Sequence, residues 1–571
     1  MTAKGRKIMA NTLYKKKSEI YSAVKEAAQK AYEGIEIPDF AVETPKDKGH
    51  GDYAVNIAML LARAAHSAPR MIAEKITENI DGKALGAEKI EIAGPGFINF
   101  YLDESYLYNT LSEIEAEGES YGSIDIANGK SVVVEFVSAN PTGPMHMGNA
   151  RGGALGDTLA NVLSAAGWKV TKEFYINDAG AQIDKFGRSL SARYIQLLQG
   201  EDAVEFPEDG YQGDDIKVHA QNYIDNFGSG LLEKSEEERK QALIDYALPL
   251  NIAALKKTLG EYRINYDVWF SESTLHNSGK VKEAVEKLKQ CGMTYEKDGA
   301  LWIKSSQFCD DKENAKDDVL VRANGIPTYF AADIAYHINK LRDRNFDLAI
   351  NIWGADHHGH IARMKGAMEA VGIDGARLKV LIIQLVRLMR GGEIARMSKR
   401  TGKMITLADL IEDIGVDAAR FFFNMRAAGS HMDFDLDLAV SQSNENPVFY
   451  VQYAYARICS IIRILKENGT EIPKAENTDM SLLNKKEELE LLYQLARLPE
   501  EIRSAAESFE PSNLTRYVID VASHFHSFYN ACRVRDEEEK LMHARLLLIE
   551  STRVVIGNVL RLLGVNAPEK M

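Results

Sequence analysis

The spacing of apolar positions changes several times along the chain, and the changes divide it into units. From Lys15 to Tyr32 apolar residues recur at helical spacing, and NIAMLLARAAH predicts a second apolar helical stretch. EKIEIAGPGFINFYL then alternates as two strands turning at Gly94, Pro95 and Gly96. A small, polar segment at 120–130, SYGSIDIANGK, breaks the composition, so residues 1–125 read as a separate α+β unit. SVVVEFVS at 131–138 is a continuous run of the kind buried on both faces of a parallel sheet. After the loop NPTGPMHMGN, the residues Leu155, Leu159, Val162 and Leu163 mark a helical face, and KVTKEFYI at 169–176 supplies another strand. A strand, glycine-containing turn, helix and strand in this succession make a β-α-β crossover, the half-unit of a Rossmann-type sheet.

The second half-unit is FDLAINIWGADHHGH at 346–360, an apolar strand ending in polar residues, followed by the helix IARMKGAMEAVG and one strand, LKVLIIQLVRL. Acidic, irregular segments at 201–215 and 310–318 bracket mainly helical patterns, so an insertion with a solvated charged surface is predicted at about 190–320. From about 404 onward the pattern is helical, with Thr406 and Asp409 spaced as a capping box and no strand of weight. The predicted fold class is multidomain α/β. A Rossmann-type parallel-sheet domain at 126–404 stands between the α+β N-terminal domain and a helical connector at 405–446, and 447–571 form an all-α bundle.

Composition sharpens this reading. The 571 residues are 45% hydrophobic and 27% charged, which excludes disorder, collagen and coiled coil. At roughly 100–200 residues per domain, the length suggests about three to four domains. Cys291, Cys309, Cys459 and Cys532 form no C-x-x-C pair, so neither a zinc ribbon nor a disulfide framework is encoded. The N-terminus lacks the apolar stretch of a signal peptide, and no later run is expected to reach the ~18 apolar residues of a membrane span; a cytoplasmic location is the expectation. Lys and Arg total 69 against 83 Asp and Glu, a formal charge of -14. Local clusters of cations can still contact a polyanion within about a Debye length.

Ligands of open α/β sheets bind outside the carboxyl ends of the strands, which brings MHMGN, GADHH and MRGGEIARMSKRTGK to one crevice. Pro144 and His146 precede Gly148, where close backbone approach and a helix N-terminus suit a phosphate. A lone histidine there can equally be structural. The basic run Arg396 to Lys403, flanked by glycines, can close over a polyphosphate and stabilise charge as it develops; alone, it reads as a solvated face. Glu135 lies within an apolar run, costly unless paired, either with a ligand or in a structural ion pair. Tyr329 and Asp333 lie one helical turn apart and would face one ligand, although a structural aspartate fits too. Asp356, His357, His358 and His360 have metal-like spacing, but no distant third ligand accompanies them, and no protein-bound metal is expected. Arg457, Arg463, Arg497, Arg503, Arg516, Arg533, Arg535 and Arg545 lie among aromatics in the C-terminal region, where salt bridges and an RNA surface are both open readings.

The sequences HMGN (His146 to Asn149) and RMSK (Arg396 to Lys399) resemble the HIGH and KMSK signatures of class I aminoacyl-tRNA synthetases. Asn149 stands where the second histidine is expected, and Arg396 replaces the first lysine. VEFVSANPTGPMHMGNARGGALGDTLANVLSAAGWKV resembles the arginyl-tRNA synthetase family more closely than its siblings. GDYAVNIAMLLA, GPGFINFYL, Tyr329 to Ala335, Asp417-Ala418-Ala419-Arg420 and NPVFYVQYAYARICSI extend the similarity nearly end to end. The resemblance implies a catalytic role for His146 and Lys399. It implies ATP contacts at Pro144, His146, Gly148, Asn149, Gly354, Asp356, His357, Arg396, Met397, Ser398 and Lys399. Arginine contacts would fall on Glu135, Ser138, Asn140, His146, Tyr329, Asp333 and His357. It further implies ATP arriving with Mg²⁺, tRNA(Arg) as partner, a monomer, and tRNA-dependent activation. A class I synthetase for another amino acid and a non-catalytic tRNA-binding relative are the alternatives, and the latter would be expected to have lost His146 or Lys399.

Overall fold

The computed structural model describes residues 11–45, 47–308, 316–357, 359–395, 405–535 and 537–571. In the N-terminal unit the Thr12–Ala31 helix starts at Asn11, whose side chain accepts from the Tyr14 N–H and so satisfies one of the free donors of the first turn. Its buried stripe, including Ile20, Val24 and Ala28, joins the core of a four-stranded antiparallel sheet. That sheet comprises β1 (Val42–Glu43), β2 (Tyr53–Val55), β3 (Ala87–Ala93) and β4 (Phe97–Leu102), in the order β1-β2-β4-β3.

The central sheet begins with β5 (Ser131–Glu135), β6 (Lys169–Ile176) and β7 (Val268–Ser271). A small antiparallel sheet of β8 (Thr294–Lys297), β9 (Ala300–Ile303) and β10 (Asp318–Val321) intervenes, and β11 (Leu348–Gly354) and β12 (Leu378–Ile383) complete the central one. Its order is β12-β11-β5-β6-β7, with every neighbouring pair parallel. The chain builds outward from β5 on one side and then returns to the other, so the direction of winding reverses between β5 and β11. Loops leaving these two strands diverge there and open a crevice. Val132, Val133 and Val134 are buried on both faces, worth roughly 1.5–3 kcal/mol per side chain.

Four sequence expectations need correction. The strand expected over 131–138 ends at Glu135, because Val137 and Ser138 take left-handed conformations, φ 69° and 44°, and peel the chain off the sheet. LKVLIIQLVRL forms two strands rather than one: β12 stays in the central sheet, whereas β13 (Val386–Arg390) joins β14 (Glu393–Ile394) and β15 (Met432–Asp435) in another. Between them the Gln384 N–H donates to the Ala428 carbonyl, and its own carbonyl accepts from the buried Arg151 guanidinium, so its backbone groups leave the ladder. The stretch 405–446 is therefore not purely helical. Residues 432–435, MDFD, alternate buried and exposed, but four residues are too few to stand out from the helical pattern, and the strand forms by pairing with β13, where Arg387 meets Asp433. The insertion expected at about 190–320 is likewise divided by β7, an edge strand of the central sheet too short to register as a strand from spacing alone.

The C-terminal region packs helices Pro447–Glu467, Lys486–Ala496, Leu498–Ser508, Ser512–Ala531 and Glu539–Leu563 around a continuous core. Among the described residues, Pro447–Glu467 is one helix long and apolar enough to cross a membrane, contrary to the expectation of no such run; half of that stretch is buried. Arg420, fully buried, fastens the bundle to the sheet domain. Its guanidinium donates to the carbonyls of Leu563 (2.8 Å) and Tyr262 (3.1 Å) and to Asp157 (2.5 Å) on the Gly148–Ala165 helix. Arg420→Met is expected to destabilise the protein by about 3 kcal/mol, because it strips donors from buried acceptors and leaves Asp157 with Lys172 and a long bond from Asn161. An unchanged denaturant midpoint would refute that.

Candidate active site

At the nucleotide end of the crevice the loop after β5 is pinned before it becomes a helix. The Met147 N–H donates to the Ile405 carbonyl (3.1 Å) and the Leu407 N–H to the Met145 carbonyl (2.9 Å), so His146 pairs with Thr406 as an isolated bridge. Thr406 and Asp409 form the predicted capping box for Leu407–Ile414. The Gly148 N–H donates to Nδ1 of His146 at 3.0 Å. An acceptor at Nδ1 leaves the proton of neutral imidazole on Nε2, a donor facing away from its own backbone. Partial desolvation holds the ring's pKa below the usual histidine value, which maintains this neutral form. A Cβ at position 148 would stand 3.0 Å from Nδ1, so a side chain there would push the imidazole a few tenths of an ångström from this contact. The first three amides of helix Gly148–Ala165 are already bonded, to Nδ1 and the carbonyl of His146 and to the Met147 carbonyl, so the donor prepared here for an anion is Nε2–H of His146 beside the positive end of the helix dipole. Pro144 is exposed and Asn149 half-buried beside it.

Gly354 ends β11, and His357 follows in a short turn, its ring 5.8 Å from that of Trp353. The side chain of Asp356, together with Arg396, Met397, Ser398 and Lys399, lies outside the described residues.

At the other end, Tyr329 opens the helix Tyr329–Ile338 and Asp333 follows one turn later, confirming the helical spacing read from sequence. The Tyr329 hydroxyl accepts from the Ala181 N–H at 3.0 Å, which leaves its own O–H to donate elsewhere. Gly180, at φ 77°, makes room for this contact: a Cβ there would lie 3.1 Å from the phenolic oxygen. Asp333, about a third exposed, is approached by Nε2 of His360 at 3.4 Å. Asn140 is exposed on the loop leaving β5. Ser138, in its left-handed turn, donates to Glu135 at 3.0 Å and accepts from the Tyr175 N–H. A non-glycine residue held at positive φ costs of order 1–3 kcal/mol, and here the conformation aims Oγ at the carboxylate.

Glu135 shares a rung of the sheet with Glu173 on β6 and Asn351 on β11, and all three are buried. Lys340, from a π-helical turn at Asn339–Asp343, lies over that rung. Its Nζ donates to Glu135 at 2.5 Å and to Asn351 at 3.1 Å, and stands 3.9 Å from Glu173. The structural ion pair left open for Glu135 is therefore present, with a partner that sequence reading did not name. Glu173 is held by Arg344, through both carboxylate oxygens, and by the Tyr336 hydroxyl. Burial alone would raise its pKa, but Lys340 and Arg344 outweigh burial and lower it. Asn351 donates to Nε2 of His337 (2.8 Å), whose Nδ1–H donates to the Asp333 carbonyl (2.7 Å). Burial and then Lys340 depress this histidine to about 4, so it stays neutral.

Glu272 was also missed. It is buried at the end of β7, where burial raises its pKa, and Glu272, Asp333 and Glu135 all act electrostatically on Tyr175. Glu272, Asp333 and Glu135 thus gather near Tyr175 at this end of the crevice, Glu135 with its charge already met by Lys340. The available signal was a polar residue at matching positions of neighbouring strands, Asn351 alone in the apolar run LAINIWG and Glu173 before the apolar end of KVTKEFYI, together with His337 one turn beyond Asp333.

A parallel sheet with a neutral histidine donor at a helix start on one side of its crevice and carboxylates on the other has the layout of a nucleotide-dependent enzyme for a cationic substrate. The comparisons agree: residues 110–426 match the family described as tRNA synthetases class I (R), catalytic domain. Residues 18–102 match the arginyl tRNA synthetase N terminal domain, and 451–571 the DALR anticodon binding domain. The chain is 58% identical over 560 residues to an arginine–tRNA ligase of Ruminiclostridium cellulolyticum, covering 97% of this chain and 99% of that one. It is 57% identical over 568 residues to that of Acetivibrio thermocellus, covering 99% and 100%. The Thermus thermophilus arginyl-tRNA synthetase structure shares the fold at a TM-score of 0.74, covering 97% of this chain and 100% of that one at 22% identity. The chain belongs to the arginyl-tRNA synthetase family.

Proposed function

We propose that the protein joins L-arginine to the 3′-terminal adenosine of tRNA(Arg) in two steps. The arginine carboxylate attacks the α-phosphorus of Mg–ATP in line, forming arginyl-adenylate and releasing pyrophosphate; a terminal ribose hydroxyl then takes the arginyl group and AMP leaves. No side chain acts as nucleophile. Positioning and charge stabilisation carry the rate, with Nε2–H of His146 and the Lys399 ammonium supplying donors to the phosphates and the helix after Gly148 its dipole. Pro144, Asn149, Gly354, Asp356, His357, Arg396, Met397 and Ser398 complete the nucleotide contacts in this reading. Tyr329 and Asp333 receive the guanidinium, with Glu135 and Ser138 behind them and Asn140, His146 and His357 toward the reacting end. The reading includes a cytoplasmic monomer.

The observation that carries it is the pairing of a neutral, tautomer-fixed His146 at a helix start with a partly exposed Tyr329 and Asp333 on one helical face. The arginine reading is favoured over other amino acids because only a planar cation meets several carboxylates and a phenol with directional hydrogen bonds.

For the tRNA, the bundle supplies a groove of about 780 Å³ lined by Tyr453, Arg457, Arg463, Tyr529, Arg533 and Arg535 among others. The Arg457 guanidinium stands 4.1 Å from the Tyr529 ring centroid and 5.6 Å from that of Tyr453. Stacking faces beside cations suit an unpaired base and its phosphates. Arg457→Ala is expected to raise the tRNA KM and flatten its salt dependence by about one contact, leaving the arginine KM alone. Charging assays across a salt series test this; an unchanged tRNA KM and slope would remove the groove from the interface.

A further inference from the structure

Lys340 is wholly buried, yet no step of the proposed reaction calls on it. It sits in the π-helical turn that directly continues the helix bearing Tyr329 and Asp333. Single π turns recur at functional sites because the extra residue re-aims a side chain that α-helical register would place elsewhere. Here the ammonium meets three strands at once: Glu135 at 2.5 Å, Asn351 at 3.1 Å and Glu173 at 3.9 Å, with the Tyr336 ring centroid 4.1 Å away. Glu173 already holds Arg344 and the Tyr336 hydroxyl, so the charge of Lys340 falls chiefly to Glu135.

Two consequences follow from these contacts. The first is electrostatic: Lys340 cancels the charge of Glu135, so the substrate's side chain meets Asp333 and Glu272 without a third bare carboxylate. The second is geometric. Lys340 fixes Asn351, Asn351 fixes the tautomer of His337, and His337 donates to the main-chain carbonyl of Asp333 itself. The sheet and the substrate-facing helix are thereby tied at the residue whose carboxylate must lie in plane with a guanidinium.

We propose that Lys340 is a positioning and specificity residue for arginine, acting through Glu135 on the charge of the pocket and through Asn351 and His337 on the placement of Asp333. This rests on the assignment of Tyr329 and Asp333 to the guanidinium. Removing Lys340 alone would strand a buried carboxylate, so the comparison is made in a background without it. In the full-length chain, Glu135→Gln is compared with Glu135→Gln/Lys340→Met by steady-state charging of tRNA with arginine. The double variant is expected to raise the arginine KM roughly tenfold beyond Glu135→Gln, within the range for a misplaced binding group, with the ATP KM within about twofold. Asn351→Ser cuts the same tie one step along and should show the same split between the arginine and ATP KM values. An arginine KM in the double variant equal to that of Glu135→Gln, or Asn351→Ser with wild-type kinetics, overturns the proposal and leaves Lys340 a silent counter-ion. Asp333→Asn in the same assay separates the two readings: if it too leaves the arginine KM unmoved, the arginine site itself is misassigned.

Discussion

Replacing His146 by alanine is expected to lower kcat for charging by roughly 10²- to 10³-fold, the scale for losing one preorganised donor to developing charge. The fold prepares the imidazole as a donor, because Nδ1 accepts from the Gly148 N–H and Nε2 therefore carries the proton. Desolvation lowers the pKa, so the neutral ring persists below the usual histidine range. The sign of the pH dependence follows. Acidification protonates His146 only below the usual histidine range, and the His146-dependent part of kcat should hold to more acidic pH than an unperturbed imidazole would allow. Lys399→Ala should cost a similar factor if its ammonium meets the same phosphates. Single-turnover adenylate formation, compared with transfer from preformed adenylate, locates the loss in the first step. Near wild-type adenylate formation by His146→Ala would end the assignment.

Asp333→Asn is expected to raise the arginine KM and to narrow the preference for arginine over citrulline, which otherwise reaches about 10⁴ where buried polar groups lose their partner. Citrulline keeps the shape of arginine but replaces the cation by a neutral urea. An amide at 333 removes the charge that distinguishes the two while sparing the fold's contacts, because His337 bonds the main-chain carbonyl and an amide oxygen still faces His360 Nε2. A merely structural aspartate would behave otherwise: the melting temperature would fall and the ratio of kcat/KM values would stay put. Lysine offers a point charge and no planar fork, so it should be rejected by both proteins. An unchanged arginine-to-citrulline ratio in Asp333→Asn would refute the role given to that carboxylate.

The parts of this site legible in sequence share a property. Tyr329 and Asp333 lie on one helix, and His146 and Gly148 on one strand-to-helix turn, so local spacing alone brings each pair together. Glu135 stood out because a carboxylate in an apolar strand must find a partner, but the identity of that partner was hidden. Lys340 lies 205 residues away and reaches Glu135 only through a π turn, which no periodicity announces. Glu272 was hidden for a related reason: β7 is four residues long, and only pairing with β6 reveals that its end faces Asp333. The break at Gln384 and the late strand β15 escaped notice because tertiary partners, Arg151 and β13, decide them against local pattern.

By itself, then, the order of residues determined the things that local backbone and side-chain chemistry control. These are the parallel β-branched strands, the glycine-permitted turn at a helix start, the capping box at Thr406 and the helical pairing of a phenol with a carboxylate. Tertiary structure alone decided which charges cancel. It aligned Glu135, Glu173 and Asn351 on one rung and placed Lys340 above them, and it bonded Arg420 to both the Gly148–Ala165 helix and the last helix of the bundle. The physical reason is range. Propensity and periodicity act over a few residues, whereas a buried charge is satisfied by whatever the fold brings within about 3 Å, from any distance along the chain.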